Sequence, residues 1–171
     1  MIQAKFLGGN IITETSNEAR ELYNKSRFGV VKGEKVILSV FEALYLLEKG
    51  KISVADGKKK LNDESFIKKA NKKLKGFMTK YSVFRDLRDR GYVVKTALKF
   101  GAEFRVYDKG INPGQDHAKW IVYPVHESDT MTWHDFSAKN RVAHSTKKNL
   151  LIAIVDDEND VTYYEISWKR P

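Results

Sequence analysis

Apolar and polar positions follow two different rhythms along this chain. Near the amino terminus, residues 2–7 and 10–14 alternate around Gly8-Gly9, which predicts two short strands joined by a tight turn. Thr15 and Glu18 stand at capping-box spacing and predict a helix that runs to about Phe28 and stops at Gly29. Residues 35–38 are a short apolar run of strand composition. Ser39 and Glu42 repeat the capping-box spacing, so the Leu- and Ala-rich stretch 40–49 reads as a helix ended by Gly50. A third helix is predicted to begin near Asn62 or Asp63. A longer one follows over 72–90, where Phe77, Tyr81, Phe84 and Leu87 recur at helical steps and Gly91 closes the run.

Beyond that helix the texture changes. Residues 92–96, 104–108, 119–125, 150–155 and 161–168 carry the strand pattern. One helix interrupts them over 133–145, opened by Thr132 and Asp135 at capping-box spacing. The pattern predicts an α/β (α+β) protein. A small mixed N-terminal domain is expected over 1–77, and a C-terminal domain with a central mixed sheet and a flanking helix over 78–171. No repeat, low-complexity run or Pro-rich linker separates them, so the join reads as a shared helix or a tight connection.

Composition narrows the functional classes. With no cysteine among 171 residues, disulfides, cysteine-ligated metals and a cysteine nucleophile are excluded. Apolar stretches fall far short of the roughly 20 residues a membrane helix needs, and the first residues lack the apolar core of a signal peptide. These features predict a soluble, cytoplasmic protein with no membrane association. The formal net charge is +9, and it is unevenly placed. Residues 51–105 hold 16 Lys+Arg against 6 Asp+Glu, whereas the rest of the chain is nearly balanced. A localised basic surface suits a polyanion such as nucleic acid, or else a lysine-rich solvated face of a heat-adapted protein.

Several chemistries have no footing here. There is no phosphate-cradling G-x-x-x-x-G-K-[ST] loop, no G-x-G-x-x-G after a strand, and no H-E-x-x-H. His117, His126, His134 and His144 show no metal-ligand spacing. Three other residues sit at element ends. Tyr107 closes the strand in FRVYDKG, His117 comes after the loop 108–116 at the start of AKWIVYPV, and Lys148 lies between the helix and LLIAIV. Functional groups often occupy such termini, held by the scaffold beneath. Taken singly, each is equally a rim aromatic, a solvated imidazole, or a cation complementing a helix end.

Longer segments add a resemblance. RDRGYVVKTALKFGAEFRVYDKG (88–110), HAKWIVYPV (117–125), RVAHSTKK (141–148) and IVDDENDVTYYEISW (154–168) resemble the archaeal tRNA-splicing endonucleases, in order and spacing alike. The likeness covers nearly all of 85–171. The first half resembles the family's N-terminal domain more loosely, through GVVKGEKVILSVFEALYLLEKG (29–50). The length is similar to that of the small members that assemble as homotetramers.

The resemblance implies a catalytic triad of Tyr107, His117 and Lys148, with Lys147 as the adjacent alternative to Lys148. It implies intron excision from precursor tRNA at bulge–helix–bulge junctions, by attack of the substrate's 2′-hydroxyl, with no metal or other cofactor. The products would carry 2′,3′-cyclic phosphate and 5′-hydroxyl ends. Tyr107 would act as base, His117 as acid and Lys148 as the cation facing the phosphorane. A phenol ordinarily ionises at about pH 10, so Tyr107 either has its pKa lowered by a cation or only orients the 2′-hydroxyl. Arg141 resembles an arginine that stacks on a bulge base, and Trp168 is the candidate for the other side of that sandwich. Without the resemblance, Arg141 would pair with an acid on its helix and Trp168 would pack on the sheet. Asp156, Asp157, Glu158 and Asp160 read by themselves as a solvated hairpin turn. In the family this loop docks into a basic pocket of a neighbouring subunit and joins two dimers into a tetramer. The rival reading is a noncatalytic RNA-binding or structural subunit of a heteromeric splicing endonuclease.

Overall fold

In a computed structural model that describes residues 1–114 and 116–171, the chain divides by its internal contacts into two units, Met1–Met78 and Thr79–Pro171. The first contains β1 (Ile2–Leu7), β2 (Asn10–Thr13), α1 (Asn17–Asn24), β3 (Val30–Lys32), β4 (Lys35–Leu38), α2 (Val40–Glu48), β5 (Ile52–Asp56), β6 (Lys59–Leu61) and α3 (Asp63–Lys73). Its six strands form one mixed sheet in the order β3-β4-β2-β1-β5-β6, with β1 and β5 parallel. In β1 the residues Ile2, Ala4 and Phe6 alternate inward. Phe6 meets Phe66 of α3 edge-on at 5.5 Å, burying a face whose side chains each contribute about 1.5–3 kcal/mol.

The capping box at Ser39 and Glu42 forms and does a second job. Oε2 of Glu42 accepts from the Ser39 amide at 2.9 Å, while Oε1 accepts from the Gly29 amide at 2.8 Å. This accounts for a carboxyl side chain that is only 5% exposed: both of its oxygens have hydrogen-bond partners. Gly29 is required here for close approach. A Cβ on it would lie 2.5 Å from Val36 Cγ1 and 2.6 Å from the Ile37 carbonyl oxygen.

Three expectations need correction. Ser16, not Thr15, caps α1, accepting from the Ala19 amide. The helix stops at Asn24 rather than Phe28, and the left-handed residue after it is Arg27, not Gly29 alone. The long helix predicted over 72–90 is interrupted: α3 ends at Lys73, Leu74 is extended, Gly76 is left-handed, and α4 (Phe77–Asp89) begins anew.

The second unit holds most of α4, then β7 (Val93–Thr96), a 3₁₀ turn over Leu98–Phe100, β8 (Phe104–Tyr107), β9 (Trp120–His126), α5 (Trp133–Ser145), β10 (Asn149–Val155) and β11 (Val161–Ile166). Its sheet runs β11-β10-β9-β8-β7. Only β9 and β10 are parallel, and α5 is the crossover such a pair demands. Interior strand β10 is apolar on both faces, as a strand covered on both sides must be. Ile121, Tyr123, Leu150 and Ile152 pack with Ala143 of α5 in one cluster. Pro124 sits past the last β8 pair, Phe104–Val122, where a missing amide costs β9 no bond to β8.

The end of α5 fixes where β10 begins. Lys148 donates its amide to the Ala143 carbonyl at 2.8 Å and Lys147 donates to His144 at 3.0 Å, with Lys147 left-handed. This is a Schellman turn with lysine where glycine is usual, and it delivers Lys148 directly to the start of β10. Among the described residues no helix is long and apolar enough to cross a membrane.

Candidate active site

Register alone brings three chain ends together. In the parallel pair Trp120 of β9 lies beside Asn149 of β10, and in the antiparallel pair Val106 of β8 lies beside Trp120. Tyr107 is the next residue of β8, Lys148 immediately precedes β10, and His117 lies three residues before β9. Glu165 of β11 fastens this end, accepting from the Trp120 indole N–H at 2.6 Å and the Asn149 side-chain amide at 3.2 Å.

Tyr107, His117 and Lys148 line one cavity of about 360 Å³, together with Phe100, Arg105, Gly114, Asp116 and Ala118. Tyr107 is buried and His117 is exposed. The His117 backbone is held by its amide donating to Oδ1 of Asp116 at 2.6 Å. Lys148 is half-buried; its Nζ donates to the Thr146 carbonyl at 2.9 Å and lies 5.4 Å from the Phe100 ring centroid. An ammonium has three N–H groups, and among the described residues the Thr146 carbonyl takes one of them. Lys147 is exposed and outside the cavity lining. Of the loop 108–116 that precedes His117, Gln115 lies outside the described residues.

Nearby, Lys119 donates to Asp108 at 3.1 Å and stands 4.4 Å above the Trp120 ring. That hydrogen bond, followed by one from the Lys109 amide, holds the Asp108 carboxyl below its ordinary value. A phenol, an imidazole and an ammonium on one wall offer two proton-transfer groups and a cation. Among the described residues no group of three or more His, Asp or Glu is arranged to hold a metal. A larger cavity of about 700 Å³ in the first unit is lined by Lys59, Lys60, Lys68, Glu64 and others, with no imidazole or phenol.

Arg105 escaped the sequence reading. It shares the cavity because alternate residues of a strand share a face. Phe104 turns to the opposite face and meets Phe84 of α4 at 5.9 Å, while Arg105 and Tyr107 turn toward the cavity. The signal was present as the two-residue spacing in FRVY.

The remaining candidates lie apart from this cavity's lining. Arg141 is exposed on α5. Trp168 follows β11 and is 48% exposed. Its ring is met edge-on by His144 at 4.3 Å and by the Arg170 guanidinium at 5.1 Å. The acidic run forms the turn between β10 and β11, at the far end of the same strands. There Oδ1 of Asp156 accepts from the amides of Glu158 and Asp160, both at 2.9 Å. Asp157 pairs with His126 Nε2 at 3.2 Å, and Ser82 of α4 donates to the Asn159 side chain at 3.2 Å. Asp157, Glu158 and Asp160 are exposed.

Comparison with known proteins gives one consistent result. Residues 77–163 match the family described as tRNA intron endonuclease, catalytic C-terminal domain, and residues 2–67 match tRNA intron endonuclease, N-terminal domain. A tRNA-splicing endonuclease of Thermococcus onnurineus is 44% identical over 169 residues, 99% of this chain and 97% of the relative. That of Thermococcus kodakarensis is 45% identical over 163 residues, 95% of each chain. That of Thermococcus gammatolerans is 42% identical over 170 residues, 99% of each chain.

Proposed function

The chain belongs to the tRNA intron endonuclease family, and from that premise we propose that it excises introns from precursor tRNA at bulge–helix–bulge junctions by metal-independent transesterification. The substrate's 2′-oxygen attacks the adjacent phosphorus as the bond from phosphorus to the 5′-oxygen breaks. Tyr107, reacting as its phenolate, takes the 2′-hydroxyl proton, His117, reacting as its imidazolium, gives a proton to the departing 5′-oxygen, and Lys148 offsets charge on the non-bridging oxygens. The ends left are a 2′,3′-cyclic phosphate and a 5′-hydroxyl. The reading is carried by one observation: the three residues line a single cavity although they come from three separate element ends.

Substrate recognition follows from RNA shape. A regular A-form helix hides base edges, so a splicing enzyme reads splayed bulge bases and backbone geometry. Arg141 and Trp168 present a cation and an aromatic face to such a base, and stacking of this kind contributes about 1–3 kcal/mol per base. The exposed carboxylates of Asp157, Glu158 and Asp160, on a turn held by Asp156, suit docking into a basic pocket of a second copy. We assign the chain to a homotetramer built as a dimer of dimers and working in the cytoplasm.

The decisive experiment is cleavage of a bulge–helix–bulge RNA in EDTA with end-group analysis. Undiminished cleavage with cyclic-phosphate and 5′-hydroxyl ends is expected. Activity abolished by EDTA, or 3′-hydroxyl and 5′-phosphate ends, would overturn the mechanism.

A further inference from the structure

We propose that Arg105 is a fourth catalytic residue: its guanidinium binds the non-bridging oxygens of the scissile phosphate and shares the phosphorane charge with Lys148. This rests on the reading of the cavity as the cleavage site.

The first observation is an unmet hydrogen-bond donor. Nε of Arg105 is shut off from solvent and has no hydrogen-bond partner among the described residues. Arg105 as a whole is half-exposed, so the unmet donor is Nε alone, and a polar atom enclosed without a partner is unfavourable. The terminal nitrogens are the part of the guanidinium that a ligand in the cavity can reach. Among the described residues that line this cavity the sole carboxylate is Asp116, whose Oδ1 accepts from the His117 amide. The guanidinium carbon instead lies 6.0 Å from the Tyr107 ring centroid, at the outer limit for a cation–π contact. The strand therefore holds Arg105 on the cavity wall, and the protein leaves its donor unused.

The second observation is the charge the reaction must accommodate. A phosphodiester carries one negative charge, and the phosphorane formed by attack of a deprotonated 2′-oxygen carries two. Lys148 supplies one cation. His117 gives up its proton to the leaving oxygen and cannot remain the second cation. Arg105 fills that deficit. Its planar fork matches two oxygens of a tetrahedral or trigonal phosphorus centre in a way an ammonium cannot. Arg105 takes no proton and forms no covalent bond, so the proton transfers by Tyr107 and His117 are unchanged.

The test is single-turnover cleavage of a bulge–helix–bulge RNA by wild type, Arg105→Gln, Arg105→Lys and Arg105→Ala, with RNA affinity and thermal unfolding measured in parallel. At saturating enzyme, Arg105→Gln is expected to cleave about 10²–10³-fold more slowly with RNA affinity within about threefold of wild type. Arg105→Lys keeps the charge but loses the fork, and should remain at least about tenfold slow. Added guanidinium ion should restore Arg105→Ala by a comparable factor and leave His117→Ala unmoved. If Arg105→Gln does not fold, the Arg105→Lys rate and the guanidinium rescue carry the test. Cleavage by Arg105→Gln at the wild-type rate overturns the proposal, as does a loss confined to affinity. A pH–rate profile displaced along the pH axis rather than lowered also overturns it, making Arg105 a positioning residue that acts through Tyr107. The two readings fail separately. Wild type that yields no cyclic phosphate removes the cleavage site itself. Wild type that yields it alongside an equally active Arg105→Gln removes only this assignment.

Discussion

The two ends of the β9–β10 pair are built from the same strands and differ in how their polar groups are satisfied. Parallel strands necessarily gather like ends. At the amino-terminal end stand Tyr107, His117, Lys148 and Arg105, and there Arg105 Nε has no partner among the described residues. At the carboxy-terminal end the acidic turn satisfies itself. Asp156 takes two amides, Asp157 takes His126, and Glu127 accepts from the Asp157 amide at 3.4 Å. Side chains that line an open cavity are within reach of a ligand, whereas groups that meet each other hold a shape. One end is read as chemistry and the other as a shaped acidic surface for the same reason, with opposite sign.

The largest effect expected from breaking this contrast comes from His117→Ala. Losing the proton donor to the leaving oxygen should slow cleavage about 10²–10⁴-fold, read by single-turnover kinetics. Because His117 is exposed, the unfolding midpoint should move little. Wild-type turnover by this variant would remove the amino-terminal end from the reaction.

Next in size is the oligomer. Replacing Asp157, Glu158 and Asp160 together by Asn, Gln and Asn leaves the Asp156 bonds in place and removes the exposed charge. Tetramers should fall to dimers at matched concentration in sedimentation velocity. An unchanged tetramer would separate the acidic turn from assembly. Asp156→Ala asks the converse question. It removes an acceptor shared by two amides, which at this half-exposed position costs about 1–2 kcal/mol and about 2–8 °C in the midpoint. Loss of stability here with an intact tetramer in the triple variant would mean that the turn serves folding only.

How much of this could be read beforehand depends on the reach of each signal. Strand ends are marked locally, so Tyr107, His117 and Lys148 stood out as termini, and the crossover topology then set them at one end. The capping box of Ser39 and Glu42 was legible because both partners lie within one turn, but Glu42's third bond, to Gly29, spans 13 residues. The cap of α1 was misplaced by one because Thr15 and Ser16 both suit the position. β3, β5 and β6 went unseen; β3 is exposed throughout, β5 buries three successive residues, and β6 exposes Lys59 and Lys60 and buries only Leu61, so none offers an alternation to read. Two helices were expected here, but the start of the second was placed at 72 rather than Phe77, because helix-forming residues flank Gly76 on both sides. Arg105 was missed for a different reason. Its two-residue step from Tyr107 puts it on the same strand face, but its buried Nε without a partner among the described residues is a property of tertiary surroundings.

The smallest effect tests why the cationic end tolerates its charge. Asp108 is the carboxylate that Lys119 engages there, and its pKa is depressed first by that hydrogen bond and then by the Lys109 amide. A carboxyl whose folded pKa lies below its unfolded value stabilises the protein above that unfolded value, and the contribution is lost as pH falls through the folded one. The window therefore opens at about 3.8, the ordinary value, and closes below it. Because the group is exposed, solvent screening keeps the contribution small. Asp108→Asn should melt slightly below wild type at neutral pH, and the two midpoints should converge as pH is lowered through this window. Freeing Lys119 also adds one cation beside the cavity, so the variant's RNA affinity should fall more steeply with salt. Parallel midpoints at every pH, together with an unchanged salt slope, would show that Lys119 is not held back by Asp108. The amino-terminal end would then carry one more free cation, and its contrast with the self-satisfied acidic turn would be sharper than these bonds imply.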